Sequence, residues 1–200
     1  MAIRSNVPGP RERILATASQ LFFQYGCRAV GINKIIAQSN VAKASFYEHF
    51  PSKELLILAW LNERESLWLT ELRQRLMDAD TPQRRVSALF SMWRSQINTE
   101  GFRGCGFNNT AGEFADERSP IRERVREHKN RLRALISEEV LGAYRPLLSQ
   151  EHFNALANGI YCLFDSAIIQ AQSLMDEWPL RASELTAQYL VNQYIAEGSS

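Results

Sequence analysis

From Pro10 to Ile195 the apolar residues recur at intervals of three and four, and no stretch alternates apolar with polar residues. A period near 3.6 lays a stripe along one side of a helix, whereas a half-buried strand needs a period of two. The chain is therefore confined to packing helix on helix, an all-α fold. Ile14, Leu15, Ala18, Leu21 and Phe22 predict a helix over 10–25, opened by Pro10 and closed by Gly26. Ile32, Ile35 and Ile36 mark a short helix over about 31–39, Asn40 suits a left-handed turn, and a second short helix covers about 42–47. Ser52 caps a long helix reaching about residue 78, and Thr81–Pro82 opens one reaching about 98. Residues 99–108 read as a loop, with Asn108 capping a short helix over 109–115. Helices over 119–141, 149–175 and 181–195 complete the pattern.

At 200 residues such a chain buries a core without staples. With 45% hydrophobic and 22% charged residues it reads as soluble and globular, which excludes collagen-like, low-complexity and disulfide-scaffold classes. No window of about eighteen apolar residues free of charge predicts a membrane span. The opening MAIRSNVPGPRER lacks the apolar core of a signal peptide. Cys27, Cys105 and Cys162 are odd in number and too far apart for a local metal clip, so a reducing, cytoplasmic setting with no metal or cofactor is expected.

The formal net charge of +1 conceals an asymmetry. Residues 1–60 hold seven basic side chains (Arg4, Arg11, Arg13, Arg28, Lys34, Lys43 and Lys53) against Glu12, Glu48 and Glu54, a net of +4, which leaves −3 for the remainder. Three of the chain's four lysines lie in that first segment. A basic end on a near-neutral chain points to a polyanion, the plainer alternative being a solvated basic surface. The two short helices around Asn40 form a helix-turn-helix spacing, which any helical hairpin could share. A helix entering the major groove must be slim and small or polar on its outer side. Lys43, Ala44 and Ser45 meet that demand, with Val41 and Phe46 as anchors behind. Lys34 falls on the outer side of the preceding helix, in reach of a phosphate.

The string GCRAVGINKIIAQSNVAKASFYEHFPSKELL, within about residues 11–56, resembles the N-terminal domain of the TetR family of bacterial repressors. The resemblance implies an N-terminal three-helix DNA-binding domain and a larger helical domain for ligand binding and dimerisation. It also implies that Lys43 and Ser45 reach phosphates or base edges, that Tyr47 and His49 make a phosphate and a groove-edge contact, and that Lys53 meets a phosphate at a helix start. The chain departs from the pattern at Ala42, where Ser or Thr is usual, at Asn40 for Gly, and at Gly31 for a capping Thr or Ser. The missing cap at 42 costs about 1 kcal/mol and one phosphate contact. The resulting division is a loose arm over 1–9, a DNA-binding domain over 10–54 and a ligand-binding domain over 55–200.

In the larger domain, residues 153–175 are apolar almost all round, which a surface helix of a monomer would avoid. With Leu185, Tyr189 and Leu190 of the last helix, they suggest a four-helix dimer interface. Aromatic residues cluster in helices expected to surround one cavity. Trp68, Trp93, Phe107, Tyr161 and Phe164, with His128 and Cys105, are the candidate pocket, solid core being the plainer alternative. RGCGFNNTAGEFAD followed by His128–Lys129 resembles the ligand domain of one subgroup of the family. Asp165, in an apolar stretch, must find a donor. Cys105, between Gly104 and Gly106, would be a candidate redox or electrophile sensor as an exposed thiol on a flexible loop near Arg103, although an inert small hydrophobe is the commoner role of a free cysteine and the favoured one.

The expectation is a homodimeric repressor of an inverted-repeat DNA operator, released by a small apolar or aromatic molecule. The long helix from Ser52 would carry the signal, since it joins Lys53 to Trp68. The alternatives are a helical small-molecule module that has lost DNA binding and a thiol sensor acting through Cys105. An enzyme is disfavoured: no Ser–His–Asp order, phosphate loop or metal motif is visible.

Overall fold

The computed structural model describes residues 8–198, and the expected arm over 1–9 lies almost wholly outside them. Among the described residues there are nine α-helices and no strand. They are α1 (Pro10–Tyr25), α2 (Ile32–Ser39), α3 (Lys43–His49), α4 (Lys53–Met77), α5 (Pro82–Glu100), α6 (Gly106–Glu113), α7 (Pro120–Leu135), α8 (Gln150–Leu174) and α9 (Trp178–Gly198). Helix starts follow the caps: the hydroxyls of Ser52, Thr81, Ser119 and Ser149 accept the N–H groups of Leu55, Arg84, Arg122 and His152. Gly26 ends α1 at φ 87° and donates its N–H to Phe22 O at 2.9 Å, while Asn40 ends α2 at φ 52°. Ala42 provides no side-chain cap to α3.

Three boundaries differ from expectation. α6 begins at Gly106, so Asn108 lies inside the helix and does not cap it. α7 gives way to a π-helical turn over Ile136–Val140, closed by Leu141 N–H on Ile136 O at 3.0 Å, and then to a 3₁₀ segment over Gly142–Leu147. Pro146, which lacks an N–H, lies within that segment. α9 starts at Trp178, whose N–H donates to Asp176 Oδ1 at 3.0 Å.

The chain divides into two compact units. The first takes Met1–Arg64 with Asn109–Val125, the second Glu65–Asn108 with Arg126–Ser200. The first therefore extends past residue 54 into α4, where Trp60 meets Phe22 edge-on at 5.6 Å. In this unit α1 packs on α2 and α3 around buried Ile14, Ala18, Phe22, Ile35 and Phe46. In the second unit α8 packs along α9, and α5 also packs on α9. Phe164, fully buried, is the hub of the second core, with ring centroids 5.3 Å from Phe90, 6.3 Å from Trp93 and 6.5 Å from Trp68. Removing that hub leaves a cavity its neighbours can only partly fill. Phe164→Ala should therefore lower the unfolding free energy by about 3–5 kcal/mol. The loss should show as a lower denaturant midpoint at unchanged slope.

Candidate nucleic-acid interface and thiol site

The seven residues of α3 are held by one side chain. Phe46 is fully buried, and its ring meets Tyr47 at 5.3 Å and Phe50 at 6.4 Å. With that side turned inward, Lys43, Ala44 and Tyr47 are exposed and Ser45 and His49 half-buried. The structure thus brings five of the expected contact residues onto one short helix. Lys43 has no internal partner among the described residues. The other two lysines are engaged. Lys34 Nζ lies 4.3 Å from the centroid of the Tyr25 ring, a cation–π contact. Lys53 Nζ donates to Arg28 O at 3.3 Å. Partial burial draws its ammonium below the usual lysine value, against the opposing charges of Cys27 and Glu113. Arg13, which no motif singled out, reaches the α2–α3 turn, its guanidinium donating to Asn40 O at 3.5 Å.

The second unit holds a different chemistry. Cys105 is buried, at 7% exposure, which corrects the expected exposed thiol on a flexible loop. Gly104 sits at φ 73° and close to Gln172, whose Oε1 would lie 2.0 Å from an added Cβ. His128, also buried, hydrogen-bonds Cys105 on one side and sets Nδ1 2.9 Å from Glu65 Oε1 on the other. Arg131 completes the line, donating to Glu65 Oε2 at 2.7 Å. Phe107 stacks flat on the His128 ring, with centroids 3.6 Å apart.

Burial opposes a thiolate at Cys105. The hydrogen bond from His128, the charges of Lys129 and His128, and the Asn108 N–H outweigh it, so the thiol is held below its ordinary 9.0. His128 mirrors this. Burial works against its charge, but bonds to Cys105 and Glu65 raise it above its ordinary 6.5. Each shift thus favours the charged form of its group. Asp165 finds its donors in Lys129 and in Asn108, whose Nδ2 lies 3.2 Å away.

Of the other candidate pocket residues, Trp68, Trp93 and Phe164 form the aromatic core, and Trp68 extends it to His128 at 6.5 Å. The hydroxyl of Tyr161 is pushed up to about 12 by burial and by the charge of Asp165. Sequence reasoning missed Glu65 and Arg131, because a charge pair between helices distant along the chain carries no motif. Cys27 is the contrasting thiol: buried, and raised to about 12 by burial and by Glu113.

A helix-turn-helix unit whose short second helix exposes Lys43, Ala44 and Tyr47, joined to an all-helical second unit, is the layout of a DNA-binding transcriptional regulator. Residues 14–60 match the family described as bacterial regulatory proteins, tetR family, and residues 82–184 match the tetracyclin repressor-like C-terminal domain. The chain belongs to the TetR family, whose members are regulators, not enzymes. It is 26% identical to the HTH-type transcriptional regulator YxaF of Bacillus subtilis over 172 residues, 85% of this chain and 88% of YxaF. It is 28% identical to the HTH-type transcriptional repressor NemR of Escherichia coli over 130 residues, 64% of this chain and 65% of NemR. Among solved structures, SCO4454, a TetR-family transcriptional regulator from Streptomyces coelicolor, superposes with a TM-score of 0.78 at 26% identity, covering 96% of each chain. Among the described residues no helix is long and apolar enough to cross a membrane.

The two shifts set a pH dependence. Because the Cys105 value is depressed, its stabilisation is complete above the unfolded thiol value and is lost as pH falls through the folded one. The raised His128 value acts oppositely, its contribution being lost as pH rises through the folded value. Alkylation of Cys105 by iodoacetamide, followed in a Cys162→Ser protein, should thus remain fast as pH drops below 9.0, and His128→Ala should move the midpoint upward. A wild-type midpoint at or above 9.0 would disprove the pair.

Proposed function

We propose that the protein is a cytoplasmic, homodimeric repressor that binds an inverted-repeat duplex operator and is released when its second unit is chemically altered. The observation that carries the DNA reading is α3, seven residues long, anchored by Phe46 and presenting Lys43, Ala44 and Tyr47 outward. Such a helix fits the major groove, with Ser45 and His49 toward the groove edge. Lys34 and Lys53, at the start of their helices, are near enough for phosphates once they leave Tyr25 and Arg28. The relationship to a repressor, NemR, supports repression over activation.

Support for a dimer comes from α8 and α9. Ile169, Trp178, Leu185 and Tyr189 are exposed, Leu185 at 67% and Tyr189 at 60%. Large apolar side chains on two helices that pack on each other make a face that a second copy can cover. Two reading helices related by a two-fold axis require a palindromic site with half-sites about 34–36 Å apart or a multiple of that.

For the signal, the geometry favours covalent chemistry at Cys105 over a wedged aromatic ligand. Trp68, Trp93 and Phe164 are filled by one another, while Cys105 has its proton acceptor and charge partners in place. The fitting class is a small uncharged electrophile such as an α,β-unsaturated carbonyl compound. The thiolate sulfur would form a bond to the β-carbon. The C=C π pair would pass to the carbonyl as an enolate, and the His128 imidazolium would return a proton to the α-carbon. A neutral thioether and a neutral imidazole would then replace the ion pair. In the noncovalent alternative, a ligand bordered by Phe107, His128 and Tyr161 would act through α4, the helix that runs from Lys53 to Met77.

Three results are expected. Sedimentation at micromolar concentration should give a dimer. Lys43→Ala should leave the melting temperature unchanged, weaken all duplex DNA alike and flatten the log–log salt slope by about one unit. An α,β-unsaturated ketone should weaken DNA binding by the Cys162→Ser protein, and Cys105→Ser should abolish that response. A Cys105→Ser protein that still responds would return the signal to the noncovalent pocket.

A further inference from the structure

One carboxylate in the first unit lies away from α3 yet holds the turn on which α3 depends. α1 stops at Gly26, and the chain turns through Cys27 and Arg28 toward α2. Glu113, the last residue of α6, spans that turn: Oε1 accepts the Cys27 N–H at 3.0 Å and Oε2 accepts the Arg28 N–H at 2.6 Å. These amides follow the end of α1 and have no helical partner, so a fork with two acceptors suits them and a carboxamide, with one, does not. The fit is tight, because a Cβ at Gly26 would lie 2.8 Å from Glu113 Oε1. The far side of the same residue is held too, since Arg28 O accepts from Lys53 Nζ. Two more residues of the segment seat the turn: Thr110 Oγ1 lies 3.9 Å from Cys27 Sγ, and the Phe114 ring lies 5.5 Å beneath the Arg28 guanidinium.

We propose that Glu113 is a positioning residue for DNA binding: by clamping the α1–α2 turn it holds α1, and through α1 the reading helix α3, in the arrangement that fits the duplex. This rests on the reading that α3 binds DNA.

Charge and position predict opposite signs, which makes the proposal testable. A carboxylate beside Lys53 repels a polyanion, so neutralising it should tighten DNA binding if charge alone matters. If Glu113 positions α3, Glu113→Gln should weaken binding at least tenfold, to a duplex selected by the wild-type protein from a random pool. The log–log salt slope should not change, because no phosphate contact is lost. Amide exchange at Cys27 and Arg28 should quicken at the same time. Glu113→Asp, which keeps the charge but shortens the reach to the Cys27 and Arg28 amides, should reproduce both effects if Glu113→Gln folds poorly. A folded Glu113→Gln protein that binds the duplex as tightly as wild type, or more tightly, overturns the proposal. A wild-type protein that selects no duplex overturns the DNA reading beneath it.

Discussion

Seven residues do not make a stable helix in water. The first turn fixes several dihedral angles for one hydrogen bond, and isolated helices below about 12–15 residues are marginal. α3 also lacks a side-chain cap, because Ala42 has no hydroxyl. What holds it is the burial of Phe46 in the first unit, where α1 packs on it. Burying a phenylalanine side chain contributes about 1.5–3 kcal/mol, more than the missing cap withdraws. The exposed side of α3 is thereby released from any duty to the core, and Lys43, Ala44 and Tyr47 can face a partner. The presentation of these side chains therefore depends on a hydrophobic contact.

The second unit solves the opposite problem, which is how to bury charge. A lone carboxylate, imidazolium or thiolate among Phe107 and Trp68 would be expelled or neutralised. Glu65, His128 and Cys105 tolerate burial because each hydrogen-bonds the next, with Arg131 closing one end. Breaking any link leaves a charged group without its complement, and that makes such a line responsive to chemistry at its thiol. The neighbouring Lys129–Asp165–Asn108 set supplies a second satisfied group, and its cation helps to draw the Cys105 value down.

Much of this was legible along the chain. Helix periodicity located every long element, because apolar stripes survive any choice of packing partner. Gly26 and Asn40 were readable as left-handed residues, and both lie at positive φ. Short and irregular pieces were harder. The π turn and 3₁₀ segment after α7 reflect how Ile136, Val140 and Tyr144 pack, and no local propensity encodes that. α6 starts before Asn108 because Asn108 spends its side chain on Asp165, which is distant in sequence.

The sequence by itself determined an all-helical chain and a basic end with a helix-turn-helix spacing, since period, charge and turn chemistry are local properties. It also marked Cys105 and His128 as residues of interest. Tertiary structure alone decided that Cys105 is buried and paired, that Lys34 and Lys53 are engaged by Tyr25 and Arg28, and that Glu113 reaches back to Cys27 and Arg28. Each of these joins residues distant along the chain or turns a side chain toward one neighbour among several. A thiol's ionisation or a carboxylate's grip follows from groups placed around it in space, and those are fixed only when the helices have packed.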